Sequence, residues 1–171
     1  MKYTSAQAGK LLKKIEEKIR SLESMEGKSS VFNAALGENV EEVRPSYDFK
    51  ETQKAMDELK AKVRAVKHAI NVFNVTHTLP GFDDITIDQA LVYIPQLKQR
   101  ARTLQLMSER LPKERCDSIF RSSSIIDYTV TNYDTAEAAE EYQRVYDLMT
   151  QLQLALDTVN STELIEIGVT L

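Results

Sequence analysis

The side chains best suited to nucleophilic or metal chemistry in this sequence are two histidines, His68 and His77, and one cysteine, Cys116. The histidines lie nine residues apart, whereas two ligands on one helix must be three or four residues apart to reach the same metal ion. Cys116 follows Lys113 and Arg115, whose charges favour a thiolate, but no histidine lies near it in the sequence to act as a base. We therefore predict surface or capping histidines and a structural or incidental cysteine.

Two groups of acidic residues carry the oxygen atoms that a cation site needs. Asp83, Asp84 and Asp88 surround a turn, but the residue order of an EF-hand loop and its later glutamate are absent. Acids close to a helix N-terminus, where the helix dipole favours them, are the ordinary explanation. The glutamates at 137, 140 and 141 lack the histidine of a Glu-x-x-His di-iron motif. We predict no catalytic residue, no metal site, no cofactor and no enzymatic activity.

A basic stretch near the N-terminus is the first candidate interaction surface. Residues 1–28 carry seven Lys or Arg against four Glu, and the positions singled out for contact with nucleic acid or an anionic membrane are Lys13, Lys14 and Lys18. The net charge of −4 argues against a dedicated nucleic-acid binder. The alternative is a solvated face, or one that pairs with residues 134–160, which carry six acids against one Arg.

Two segments outside the predicted helices form a second candidate surface. The first is an extended arm at about 28–47, a loose hairpin with extended runs at 31–32 and 40–43 and a turn signal at "LGEN". The second is a strand at about 125–133, in which alternate residues point to one side. The apolar residues assigned to this surface are Val31, Phe32, Ile126, Tyr128 and Val130. Because a lone strand is unstable, we expect it to pair with the arm, in its own chain or a neighbour, or with the C-terminal tail.

A polar cluster completes the set of candidates. Its members are Asn71, Asn74, Asn132, Tyr133 and Asn160. They fall near helix ends that an up-and-down bundle brings together, although the two ends of the fourth predicted helix lie about 39 Å apart, so the five cannot all meet. Satisfied helix caps are the ordinary explanation for such residues.

The composition favours long helices as the framework for these residues. The chain has 171 residues with only 5 Gly and 4 Pro, and few helix breakers among many Ala, Leu, Glu, Gln and Lys residues argue against a sandwich or barrel. We predict a mainly α fold: a long-helix antiparallel bundle of about four helices, with a small β-hairpin or strand pair at one end. It forms a single domain over 1–171.

The spacing of apolar residues locates the four helices. The first covers about 5–26 and ends at Gly27. The second starts near residue 48 and continues for roughly 30 residues. The third follows the capping residue Thr86 and either kinks at Pro95 or begins there, and we favour the kink. The fourth follows the cap Asp134 and ends near Asn160, before a tail that can form a short strand.

Two of these helices have the alternating spacing of a coiled coil. The seam of the second is Met56, Leu59, Val63, Val66, Ile70 and Phe73. The seam of the fourth is Ala138, Tyr142, Val145, Met149, Leu152, Leu156 and Val159. The third helix has an apolar face of Ile87, Leu91, Ile94, Ala101, Leu104 and Leu111.

The order of these segments resembles the septicolysin-like family of small bacterial helical proteins. The segments that carry the resemblance are "NAAL", "INVFNVTHTLPGF", "TIDQAL", "IIDYTVTNYD" and "LDTVNSTELIE", which together span nearly the whole chain. The chain departs from the family pattern at Tyr93 and Ile94, where members often carry Arg-Asp, and at Ser161, where they often carry Trp. The resemblance implies no established catalytic activity. The family's name implies a cytolysin, for which a helical protein without a membrane-length amphipathic β-hairpin is a poor candidate.

We expect a non-enzymatic, self-associating helical scaffold or interaction protein, because long heptad seams and unpaired extended segments both favour a homo-oligomer. The alternative is a binding module for nucleic acid or an anionic membrane, acting through the arm and the basic face of the first helix. The N-terminus lacks the apolar region of a secretory signal, and no run reaches the roughly 18–20 apolar residues of a membrane span. We therefore expect a cytoplasmic protein.

Overall fold

The computed structural model describes residues 1–115 and 127–169 and contains four long helices in that part of the chain. They are α1 (Ser5–Ser29), α3 (Phe49–Thr76), α4 (Ile87–Ser108) and α5 (Thr135–Thr162), and a single helical turn, α2 (Val40–Val43), lies within the arm. Six short strands accompany them: β1 (Lys2–Tyr3), β2 (Thr78–Leu79), β3 (Phe82–Thr86), β4 (Lys113–Arg115), β5 (Tyr128–Val130) and β6 (Ile165–Glu166).

The strands pair two by two in antiparallel sheets: β1 with β6, β2 with β3 and β4 with β5. The β2–β3 hairpin turns at Gly81, whose φ of 79° lies in the left-handed region that glycine adopts without steric cost. The predicted fold class is therefore confirmed: a mainly helical protein with about four long antiparallel helices and small two-stranded sheets. None of the helices described is both long and apolar enough to cross a bilayer.

The chain forms two compact units, of which the first contains residues 1–76 and the segment from Val159 onwards. Here α1 and α3 pack antiparallel, as two cross-helix contacts show: Glu16 lies 3.4 Å from Lys67 Nζ, and Glu26 accepts a 2.6 Å hydrogen bond from Gln53 Nε2. The apolar residues buried in this unit are Ala8, Leu11, Ile15, Met56, Val66, Phe73, Val159, Ile165 and Ile167. Backbone N–H of Ile167 donates to the carbonyl of Met1, extending the β1–β6 pairing.

The second unit contains residues 77–158, including the β2–β3 hairpin, α4 and most of α5. Cavities along α4 and α5 show that the two helices run antiparallel, since Gln105 shares one with Tyr142 and Ile94 shares another with Leu154. The apolar residues buried here are Leu79, Ile87, Ala90, Leu97, Ala101, Leu104, Ala138, Val145, Leu152, Ala155 and Leu156. The predicted single domain of residues 1–171 stays a prediction.

Two helix starts follow the predicted capping chemistry. Thr86 Oγ1 accepts from the backbone N–H of Gln89, whose side chain accepts from the backbone N–H of Thr86, a complete capping box. Asp134 Oδ1 accepts a 2.7 Å hydrogen bond from the N–H of Ala136 at the start of α5. The helix that begins after Thr86 continues through Pro95 without interruption, so the alternative in which it begins at Pro95 is wrong.

Other predicted boundaries are wrong for identifiable reasons. The first helix continues past Gly27 to Ser29, because Gly27 does not adopt the positive φ of a helix-ending glycine. Residues 40–43 form a helical turn rather than an extended run, since the Asn39 side chain accepts from the N–H of Glu41 and caps it.

The apolar face predicted for the third helix is partly wrong. Leu91 and Leu111 are exposed, whereas Ala90 and Leu97 are buried. Leu111 lies beyond the end of α4. The buried face of α4 is thus turned towards Ala90 and Leu97 and away from Leu91.

Within one chain, the predicted pairing of the 125–133 strand with the arm or with the C-terminal tail is also wrong, whereas pairing with the arm of a neighbouring copy stays a prediction. Its described part, β5, pairs instead with β4. A partner this close in sequence closes a much shorter loop than the arm would, and so loses less chain entropy on pairing.

We predict that Thr86→Ala lowers the free energy of unfolding by about 1 kcal/mol, because it removes the hydroxyl that satisfies a backbone N–H at the start of α4. Urea unfolding followed by circular dichroism measures the change. Thr86→Ser, which keeps the hydroxyl, should retain most of the stability. Thr103→Ala, at an exposed position inside the same helix, should be neutral or slightly stabilising. Equal losses in the Thr86→Ala and Thr103→Ala variants would contradict this role of the cap.

Candidate interaction sites

The arm between α1 and α3 exposes its large apolar side chains. Val31 is 79% exposed, Leu36 is fully exposed and Val40 is half exposed. Phe32 is half-buried, with the guanidinium carbon of Arg44 5.8 Å from the centre of its ring. The predicted surface residues Val31 and Phe32 therefore lie on a segment whose apolar groups are mostly in contact with solvent.

Local hydrogen bonds hold this arm in a defined conformation. Glu38 Oε2 accepts from the N–H of Ala35 at 2.8 Å, and Glu42 Oε1 accepts from Asn39 Nδ2 at 2.8 Å. Glu41 pairs with Arg44 at 2.7 Å. The carboxylates of the arm thus order its turns while they stay at the surface.

The basic positions of the first helix all lie on the surface of α1. Lys13, Lys14 and Lys18 are exposed, and none of them forms an ion pair with another described residue. The helix that α1 packs against, α3, is itself net basic, so the charged side chains do not select this neighbour. Burial of apolar side chains selects α3 as the neighbour of α1, while the lysines remain solvated.

The strand residues of the second candidate surface are only partly described. Tyr128 and Val130 lie on β5 and are half exposed or more, and Lys113 Nζ from β4 sits 4.1 Å from the centre of the Tyr128 ring. That distance is within cation–π range. Ile126 and Cys116 lie outside the described residues.

The five residues of the polar cluster divide between the two compact units. Asn71 and Asn74 lie in the last turns of α3 and Asn160 in the last turn of α5, all in the first unit. Asn132 and Tyr133 precede α5 in the second unit, where the Tyr133 hydroxyl donates to the carbonyl of Met107 at 3.0 Å. No hydrogen bond joins one member to another among the described residues, and a binding role for the cluster stays a prediction.

Two adjoining cavities lie along α4 and α5 in the second unit and open to solvent. One part, of about 270 Å³, is lined by Ile94, Lys98, Met149, Thr150, Gln153 and Leu154. The next part, of about 210 Å³, shares Lys98 and Met149 with the first and adds Ala101, Arg102, Gln105, Tyr142 and Tyr146. We call the two parts together the α4–α5 groove.

The walls of this groove combine exposed apolar groups with positive charge. Leu154 is 62% and Tyr146 44% exposed, and the rings of Tyr142 and Tyr146 lie 5.8 Å apart, one helical turn from each other. Lys98 and Arg102 are exposed and form no ion pair with a described residue, and no carboxylate lines either part. An acidic, partly apolar segment would complement this surface.

Glu141, the residue before Tyr142 on α5, forms an ion pair within its own helix. Arg144 donates two hydrogen bonds of 2.7 Å to Glu141. These bonds lower the pKa of Glu141, and the charge of Arg100 on α4 adds to the effect against partial desolvation. Glu141 therefore stays paired within α5, and the cations of the groove remain available to a partner.

In the first unit, Glu26 joins the end of the arm to α1 and α3. One oxygen, Oε1, accepts from the Tyr47 hydroxyl at 2.9 Å and from Gln53 Nε2 at 2.6 Å. Beside it lies a cavity of about 320 Å³ that Leu22, Met25, Ser46, Tyr47, Asp48, Glu51, Thr52 and Ala55 line. Partial desolvation, followed by the hydrogen bond to Glu26 and its charge, raises the pKa of Tyr47.

The sequence alone predicted neither the α4–α5 groove nor the hydrogen bonds that join Glu26 to Tyr47 and Gln53. Tyr142 and Met149 were assigned to the coiled-coil seam, yet both are only half-buried. Lys98 and Arg102, four residues apart on a predicted helix, were a usable signal, because that spacing places two cations on one face. Among the described residues, no group of three or more His, Cys, Asp or Glu side chains is arranged to hold a metal ion.

Comparison with known proteins identifies a similar fold but no activity. No protein-family model and no curated protein matches the chain. The crystal structure of a functionally unknown conserved protein from Corynebacterium diphtheriae is similar, with a TM-score of 0.57 and 14% sequence identity over 97% of this chain and 100% of that chain. This protein is therefore similar in fold to a conserved bacterial protein of unknown function.

We predict that Glu26→Gln lowers the pKa of Tyr47, because it removes the negative charge that disfavours the phenolate. The raised pKa means that Tyr47 stabilises the fold below the tyrosine pKa of the unfolded chain, and that this stability is lost as pH rises through the folded value. Ultraviolet titration measures the shift, with Tyr47→Phe subtracted to isolate Tyr47 from the other tyrosines. Glu23→Gln, an exposed carboxylate one turn earlier, is the matched control. An equal shift in both variants would rule out Glu26 as the cause.

Proposed function

We propose that this protein is a non-enzymatic helical scaffold that associates with itself. The observation that carries the proposal is the exposure of large apolar side chains on the arm and in the α4–α5 groove. Scattered apolar residues on a surface are ordinary, but groups of them rimmed by charge mark interaction sites. Most soluble oligomers are symmetric assemblies of one chain, so a second copy is the first partner to consider.

We also propose membership of the septicolysin-like family and a cytoplasmic location. The order of segments supports the family, from the "NAAL" arm through "TIDQAL" to the closing "LDTVNSTELIE". The similar fold of a conserved bacterial protein of unknown function is compatible with this assignment. A role in protein association rather than catalysis agrees with the absence of any established catalytic activity in that family.

We predict that sedimentation equilibrium at tens of micromolar gives a mass above the 19.4 kDa of one chain. The mass should fall towards that value on dilution, because association is governed by mass action. A mass that stays at one chain throughout this concentration range would contradict the proposed self-association.

A second candidate function rests on the basic face of α1. Lys10, Lys14 and Lys18 recur every four residues, all three are exposed, and none forms an ion pair with a described residue. Such a row presents several positive charges along one side of a helix. It would suit the phosphates of a nucleic acid or an anionic membrane.

If that second function holds, Lys10→Glu/Lys14→Glu/Lys18→Glu abolishes binding to a short duplex DNA or to vesicles of anionic lipid. The parent protein should bind either probe more weakly as salt rises, because binding releases counterions. Gel shift and vesicle pull-down measure the two cases. Lys54→Glu/Lys60→Glu/Arg64→Glu, at exposed positions on α3, changes the net charge equally and should leave binding in place. Failure of the parent to bind either probe removes this candidate.

A further inference from the structure

The α4–α5 groove has a chemistry that specifies its occupant. It offers two cations, Lys98 and Arg102, that form no ion pair with a described residue. They lie next to a half-exposed tyrosine pair and the side chains of Met149 and Leu154. An occupant that matches this surface has carboxylates within a few residues of exposed aliphatic side chains. It must also lie along the groove rather than in a closed pocket, since both parts open to solvent.

The arm of the same protein has this composition. Residues 30–47 carry Glu38, Glu41 and Glu42 against a single Arg44, a net charge of −2. The aliphatic groups of Leu36 and Val40 are exposed directly beside these carboxylates. The arm therefore combines carboxylates with apolar groups, whereas the groove combines cations with apolar groups. The two surfaces are complementary in charge and alike in apolar character.

We propose that the arm of one copy of this protein docks into the α4–α5 groove of another copy. This inference rests on the proposed self-association and names the surfaces that mediate it. The carboxylates at 38, 41 and 42 face Lys98 and Arg102, while Leu36 and Val40 cover the apolar groups of the groove. Charge complementarity of this kind fixes the partner and its orientation as much as it adds affinity.

The arm is ordered before it binds, which favours docking. Its turns are held by hydrogen bonds from Ala35 to Glu38 and from Asn39 to Glu42. Its last residues are tied to α1 by the hydrogen bond between Tyr47 and Glu26. A segment fixed in this way loses less conformational entropy on association than a flexible tail does.

The size of the arm fits an interface between copies. In a dimer that exchanges arms, each copy offers up to the 18 residues of its arm, 30–47, and the 11 residues that line its groove, which is within the roughly 20–30 residues a side of a standard interface. Two copies that exchange arms would form a closed dimer with two such contacts. A one-way contact would instead leave an arm and a groove free at the ends and allow further copies to add.

A charge-swap experiment tests the contact directly. The groove variant is Lys98→Glu/Arg102→Glu, and the arm variant is Glu41→Lys/Glu42→Lys. Each variant alone places like charges opposite each other and should raise the dissociation constant of self-association at least about tenfold. An equimolar mixture restores opposite charges across the contact and should associate like the parent. Sedimentation equilibrium on the full chains measures all of these species.

Matched controls separate this contact from general charge effects. Lys60→Glu/Arg64→Glu places the same charge change four residues apart at exposed positions on α3, and should leave self-association unchanged. Circular dichroism checks that each variant folds. If a charge reversal unfolds the chain, the Gln versions of the same positions replace it, and each should still weaken association.

Each outcome decides the question. Loss of association in both variants, with recovery in the mixture, supports the contact. Association that survives both substitutions overturns it while self-association stands, and another surface must then carry the oligomer. Loss without recovery in the mixture overturns the arm as occupant if Leu36→Ser/Val40→Ser, which keeps the hydrogen bonds of the arm, also leaves association unchanged; weaker association of that variant supports the arm. A parent chain that stays monomeric overturns the proposed self-association and this contact with it.

Discussion

The antiparallel packing of α1 on α3 is the constraint on which the first compact unit depends. Because the two helices run in opposite directions, α1 ends and α3 begins at the same end of the pair. The arm, residues 30–47, must therefore leave and return at the same end of the pair. Glu26 fixes that place, since one carboxylate oxygen accepts hydrogen bonds from Tyr47 at the end of the arm and from Gln53 on α3. The arm is consequently a closed loop with an ordered base rather than a free extension.

Burial of apolar faces, rather than pairing of charge, selects which helices pack in this unit. Both α1 and α3 are net basic, and Glu16–Lys67 is the one ion pair between them among the described residues. An exposed pair of this kind contributes at most about 1 kcal/mol. Burial of Ile15, Val66 and their neighbours contributes roughly 1.5–3 kcal/mol for each large side chain. The charged side chains of α1 and α3 therefore contribute little to the packing of the two helices and stay mostly at the surface.

Helix existence and capping were predictable from sequence, whereas strand partners were not. The buried face of α5 and the capping box at Thr86 depend on residues within a few positions of each other, so local spacing reveals them. The pairing of β1 with β6 joins the two ends of the sequence, and β4 has too few residues to show any alternation. The groove was missed because half-buried residues such as Tyr142 and Met149 satisfy the same spacing as a fully buried seam.

The partner of β5 changes how the arm should be interpreted. Pairing with β4 satisfies the hydrogen-bonding demand of this strand locally, so the arm is not required as its partner. Residues 31–39 of the arm form neither helix nor strand, and Leu36 within them makes full contact with water. Ordered exposure of this kind sacrifices apolar burial that a collapsed loop would gain. In the contact that we propose, a second copy whose groove carries the opposite charge would recover that burial.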